Sequence, residues 1–152
     1  MIEAGEQAPE FELRSDTGET VTLSSLRGRP VVLYFYPRDN TPGCTTQACG
    51  IRDAWHEFEQ AGAVVLGVSP DGVDSHEGFK RDFELPFTLL ADPDHAVAEA
   101  YGAWGEKKNY GRTSEGILRT TFVIGADGVV RKVFKNVKPA THAADVLAAL
   151  AA

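Results

Sequence analysis

Only two cysteines occur in the 152 residues, Cys44 and Cys49, and a bridge between them would close a very small loop, so they make a poor structural staple. Basic residues number 15 against 22 acidic ones, and the formal charge of −7 disfavours non-specific binding to nucleic acid or an anionic membrane. No apolar run approaches the roughly 18 residues of a membrane span. The segment Met1-Ile2-Glu3-Ala4-Gly5-Glu6 has neither a basic nor an apolar region of the targeting kind, and a cytoplasmic location is the default expectation. Flavin, haem and nucleotide motifs are missing. His56, His76, His95 and His142 show no metal-ligand spacing with one another or with the cysteines, so neither cofactor nor metal is expected. Without a linker, repeat or low-complexity tract, and with 43% apolar residues to bury in one core, residues 1–152 are expected to form one domain.

What the chain does have is concentrated in Pro37-Arg38-Asp39-Asn40-Thr41-Pro42-Gly43-Cys44-Thr45-Thr46-Gln47-Ala48-Cys49. Thr41 is suited to the N-cap of a helix, its hydroxyl accepting from a backbone N–H three residues on, and Pro42 to the first helical position, where no N–H is needed. Cys44 then lies in the first turn, where unpaired N–H groups and the helix dipole favour a thiolate over a thiol. Cys49 lies beyond that turn and gains little. The asymmetry marks Cys44 as the nucleophile. A pair of small buried hydrophobes is the alternative reading.

The pattern around this segment alternates strands and helices. Phe11-Glu12-Leu13-Arg14 and Val21-Thr22-Leu23 flank the turn signal Asp16-Thr17-Gly18, which predicts an N-terminal hairpin. Val31-Val32-Leu33-Tyr34-Phe35-Tyr36 is a continuous apolar run ended by Pro37 and suits a central strand covered on both faces. Ala48, Ile51, Trp55 and Phe58 extend the helix from Pro42 to near Gly62, and Ala63–Val68 is the next strand. Ligands of such a βαβ unit bind outside the carboxyl ends of the strands, where Cys44 falls. Further on, His76, Phe79 and Phe83 mark a helix, Phe87–Leu90 a strand, and Asp92-Pro93 the cap and first position of another helix. Loops are expected from there to Arg119. Arg119–Ile124 and Val129–Phe134 surround the hairpin signal Asp127-Gly128, and Ala143, Val146, Leu147 and Leu150 mark a closing helix. The fold class is α/β: a thioredoxin-like fold with an N-terminal β-hairpin extension and a central mixed sheet flanked by helices.

Pro37-x-x-x-Thr41-x-x-Cys44 resembles the peroxiredoxin active-site signature, and Thr41-Pro42-Gly43-Cys44-Thr45-x-x-x-Cys49 resembles its Q type, the bacterioferritin comigratory protein subfamily. Leu85-Pro86-Phe87-x-Leu89-Leu90-x-Asp92, Tyr101-Gly102-x-Trp104-Gly105-Glu106-Lys107-Lys108 and Arg119-Thr120-Thr121-Phe122 are similar to stretches of that subfamily in the same order. Gly78, inside a helix pattern, and Asn109 are mild departures. The resemblance implies an atypical two-cysteine thiol peroxidase that reduces hydrogen peroxide and organic hydroperoxides. Cys44 would become a sulfenic acid, resolved by Cys49 in an intrachain disulfide and recycled by thioredoxin or a similar dithiol reductant. It further implies an antioxidant role in redox homeostasis and a monomer.

An ordinary thiol of pKa about 8.5 is about 3% ionised at pH 7, so full ionisation raises the thiolate by at most about 30-fold. Fast peroxide reduction therefore needs donors for the charge moving onto the departing oxygen. Thr41, the backbone N–H groups of Gly43 and Cys44, and Arg119 are the candidates, with Pro37 shaping the pocket. Thr41 also reads as a plain cap, Arg119 as an edge charge, and Gln47, three residues from Cys44, as either an orienting or a solvated side chain. Two other functions compete, a thiol-disulfide oxidoreductase and a non-catalytic redox sensor. The first normally shows Cys-x-x-Cys, whereas four residues intervene here.

Overall fold

The computed structural model describes residues 1–109 and 111–151, with the side chains of Lys108 and Asn109 outside the description, as are Tyr110 and Ala152. The expectation placed on Asn109 and on the end of the 1–152 range thus lies partly outside the described residues. Among those described, no helix is long and apolar enough to cross a membrane.

The apolar run becomes β3 (Val31–Phe35), every residue of which is buried. Its neighbours explain why. β4 (Val64–Ser69) lies parallel on one side, with Phe35 opposite Val68, and β8 (Thr120–Ile124) antiparallel on the other, with Phe35 opposite Thr120. β5 (Thr88–Ala91) continues the parallel set, and β9 (Val130–Phe134) pairs antiparallel with β8. The N-terminal hairpin, β1 (Glu12–Ser15) and β2 (Thr20–Thr22), adds to the sheet through an antiparallel β1–β5 pairing, giving the mixed order β2-β1-β5-β4-β3-β8-β9.

Alternation along β3 divides the core. Val31, Leu33 and Phe35 pack with Leu66, Val68, Leu90, Tyr101 and Phe122, while Val32 and Tyr34, followed by Tyr36, pack with Ile51, Phe58, Phe79 and Val146. The second face carries α1 (Pro42–Asp53), α2 (Trp55–Gln60), α3 (Val73–Phe83) and α5 (His142–Ala151). Each fully covered large side chain contributes about 1.5–3 kcal/mol, so this face fixes α1 to the sheet through several such anchors. Tyr34 leans across Gly67, where a Cβ would come within 2.8 Å of its ring and hydroxyl. That hydroxyl is buried with no partner among the described residues.

Three local expectations change. The helix from Pro42 is interrupted at Ala54, whose amide points back to carbonyls of the preceding turn, and resumes as α2. Asp92 and Pro93 are not the cap and first residue of a helix. α4 (Ala96–Tyr101) starts later, after His95 in a left-handed conformation, although Asp92 still accepts from the amides of Val97 and Ala98. The segment expected to be loops contains β6 (Trp104–Asn109) and β7 (Arg112–Ile117), an antiparallel ribbon outside the main sheet. Its polar residues give no alternation to read, and its order comes from cross-strand backbone pairing. Gly78 lies within α3, which runs through it unbroken.

Candidate active site

The β3–β8 register brings the site together. Because Phe35 faces Thr120, the chain leaving β3 toward Cys44 and the chain entering β8 at Arg119 meet at one edge of the sheet. The connection is held from the α3 side by Asp39, whose side chain is 2% exposed. Its Oδ1 accepts from the Tyr36 hydroxyl at 2.6 Å, and its Oδ2 lies 2.7 Å from both Ser75 Oγ and His76 Nδ1. His76 Nε2 faces the Leu90 carbonyl at 2.9 Å. Burial acts to raise the Asp39 pKa, but the bonds from His76, Tyr36 and Ser75 hold it below the usual carboxylate range. Asn40 then turns in the left-handed region and Thr41 takes the N-cap position.

Thr41 does not cap with its side chain. Its hydroxyl instead donates to the Arg38 carbonyl at 2.8 Å, because the turn at Asn40 brings that carbonyl back to it. The first amide used inside the helix is that of Thr45, which donates to the Thr41 carbonyl. Pro42 has no N–H, so the amides of Gly43 and Cys44 are left for another acceptor. A hydroxyl that gives its hydrogen to a carbonyl presents lone pairs outward, and Thr41 can accept from an incoming hydroperoxide O–H.

Cys44 is 1% exposed and is a free thiol, as is half-buried Cys49 on the same helix. Arg119 Nη2 donates to Cys44 Sγ at 3.5 Å. Glycine at 43 leaves room for this approach, since a Cβ there would stand 3.2 Å from Arg119 Nη2 and push the guanidinium by a few tenths of an ångström. Arg119 Nη1 donates to Gln47 Oε1 at 2.6 Å, so Gln47, fully buried, orients the guanidinium rather than facing solvent. Pro37 is half-buried just beyond the end of β3. The structure thus brings Thr41, Gly43, Cys44 and Arg119 to one helix start, with Pro37 in the connection leading to it.

Lys107 lies on β6. Its pKa is held below the usual lysine range by burial and then by the Arg119 charge, while negative charge at Cys44 acts the other way. No sequence pattern announced Lys107, because the ribbon that carries it was not legible. The Gln47 contact, by contrast, follows from its place one helical turn beyond Cys44.

Residues 4–133 match the AhpC/TSA family. Peroxiredoxin Bcp of Bacillus subtilis is 48% identical over 149 residues, covering 98% of this chain and 95% of the relative. Putative peroxiredoxin bcp of Coxiella burnetii is 49% identical over 149 residues, covering 98% and 99%. Among solved structures, the Xanthomonas campestris bacterioferritin comigratory protein, described with alkyl peroxide reduction activity, superimposes with a TM-score of 0.88 at 40% identity, covering 93% of this chain and 90% of that one. A mutant of Xylella fastidiosa PrxQ gives 0.93 at 34% identity, covering 99% and 96%. The chain belongs to the AhpC/TSA family, as a peroxiredoxin of the Bcp or Q type, and is accordingly a thiol-dependent peroxidase.

Proposed function

We propose that Cys44 is the peroxidatic cysteine and Cys49 the resolving one. The observation that carries this reading is a buried thiol in the first turn of α1 with the Arg119 guanidinium 3.5 Å from its sulfur. The Cys44 thiolate attacks the terminal oxygen of hydrogen peroxide or an alkyl hydroperoxide. A sulfur–oxygen bond forms, the O–O bond breaks, and the departing oxygen takes a proton to leave as water or alcohol. The Gly43 and Cys44 amides and Arg119 stabilise the charge on that oxygen, and Thr41 holds the hydroperoxide hydrogen. Cys49 thiolate then attacks the Cys44 sulfenic sulfur, expels hydroxide, which is protonated to water, and forms an intrachain disulfide. A dithiol protein of the thioredoxin kind reduces it and is itself oxidised to a disulfide. The same reading takes residues 1–152 as one peroxiredoxin domain acting as a cytoplasmic monomer in antioxidant defence, since both cysteines lie on one chain.

Disulfide formation requires α1 to open. Residues five apart on a helix are about 8.6 Å apart at Cα and about 140° around the axis, whereas a disulfide needs less than about 7 Å. Amide hydrogen exchange over residues 42–52 should lose most of its protection when the chain is oxidised. Equal protection, with the Cys44–Cys49 bond confirmed by mass spectrometry, would rule out this opening.

Arg119→Met tests the charge stabilisation separately. The second-order rate constant for peroxide, divided by the thiolate fraction read from ultraviolet absorbance, should fall by about a hundredfold, the scale of losing one preorganised donor. An unchanged value per thiolate across pH would remove Arg119 from the chemistry.

A further inference from the structure

α5 begins with His142, whose ring reaches the far side of the Arg119–Gln47 pair. The residue is 1% exposed. Its Nδ1 lies 3.2 Å from Gln47 Nε2, and its Nε2 lies 2.7 Å from Thr121 Oγ1. The Gln47 amide has one accepting end and one donating end. Its oxygen is taken by Arg119, so its NH2 faces His142, and Nδ1 must be the acceptor. The ring hydrogen therefore sits on Nε2 and goes to Thr121. A doubly protonated His142 would demand the Gln47 oxygen for itself and turn the amide donors toward the guanidinium.

We propose that His142 is a positioning residue of the peroxidase site: through its unprotonated Nδ1 it fixes the Gln47 amide, and through Gln47 it aims Arg119 at the Cys44 sulfur. The inference rests on the roles given above to Cys44 and Arg119. Charge around the ring supports it. Burial pushes the His142 pKa down to about 4, Asp145 on α5 opposes this, and Arg119 adds to it. The Tyr34 ring lies edge-on at 5.5 Å from the β3 side, and Lys135, Lys138 and Asp145 line an adjoining cavity of about 180 Å3. The relay is thus in its working tautomer throughout the neutral range.

Three variants test it. In His142→Leu the rate constant for peroxide per thiolate should fall about tenfold, since small misplacement of a catalytic group has effects of this order or more. His142→Asn, which can present a side-chain oxygen near the position of Nδ1, should recover most of that loss. Gln47→Glu gives a side chain with no donor for Nδ1. His142 must then take the hydrogen, and its imidazole titration, followed by proton NMR, should move up by at least about one pH unit. Wild-type rate per thiolate in a folded His142→Leu would overturn the proposal. So would an unmoved imidazole titration in Gln47→Glu, which decides the matter if the leucine variant does not fold. Arg119→Met measured alongside separates the cases: if it keeps the wild-type rate per thiolate, the reading of the site itself fails. A slow Arg119→Met beside an unaffected His142→Leu defeats only the relay.

Discussion

Cys44→Ser should abolish peroxide turnover, while Cys49→Ser should still undergo a single oxidation and stop. Serine at 44 would retain the helix-start amides and the neighbouring guanidinium, but its oxygen cannot be oxidised to the equivalent of a sulfenic acid. Loss of a nucleophile in enzymes with covalent intermediates costs on the order of 10⁴ to 10⁶ in rate. The half-buried Cys49 stands on another face of α1 without that guanidinium and offers no substitute. In Cys49→Ser the Cys44 sulfenic acid has no intrachain partner. Intact-mass measurement after one equivalent of peroxide should show the gain of one oxygen. Peroxide consumption with a dithiol reductant also discriminates the competing functions, since an enzyme consumes many equivalents where a sensor is oxidised once. Steady turnover by Cys44→Ser would defeat the assignment of the nucleophile.

Asp39→Ala should destabilise the chain by about 3–5 kcal/mol, the cost of removing one partner from a buried, hydrogen-bonded pair. His76 is 0% exposed and would lose its carboxylate, and the hydroxyls of Tyr36 and Ser75 would lose an acceptor. For a chain of this length the unfolding midpoint should drop by on the order of 10 °C. Pairing the change with His76→Leu should cost less than the sum of the two, because neither partner is then left alone. The sign with pH follows from the depressed Asp39 pKa. Its contribution is present above the unfolded carboxylate value, about 3.9, and is lost as pH falls through the lower folded value. The gap between wild type and Asp39→Ala should therefore narrow in acid. Identical midpoints at neutral pH would show that the cluster does not hold the connection.

The elements legible in sequence were those with a strong period or a turn signal. β3 is readable because Val31 to Tyr36 form one continuous apolar run ended by Pro37, and α5 because its apolar residues recur at helical spacing. Cys44 and Thr41 were readable because a helix start leaves a local chemical pattern, and Arg119 because of its place in a family stretch. The direction of the Thr41 hydroxyl was not, since it depends on a left-handed Asn40 that sets where the Arg38 carbonyl lies. The Asp39–His76 pair and the His142 contact join residues 37 and 95 apart in sequence. No local pattern encodes such contacts; only the packing of α3 and α5 on one sheet face creates them. The β6–β7 ribbon escaped for a different reason: its strands are mostly polar and held by backbone pairing, with the paired Trp104 and Ile117 at one end packed on the core.

The N-cap side chain turned away from its own helix sets a tempo as well as a geometry. A threonine cap typically adds about 1 kcal/mol to a helix, and 1 kcal/mol is about fivefold in an opening equilibrium. With the Thr41 hydroxyl committed to Arg38, α1 lacks that increment at the end that, in the proposed cycle, opens for Cys44 to meet Cys49. The frequency of opening limits how long a sulfenic acid waits, and that wait is the interval in which a second peroxide can carry it irreversibly further. On the proposed cycle, a looser helix start would shorten the exposure of the oxidised sulfur, and fraying at one hydroxyl would become a determinant of the catalyst's working lifetime.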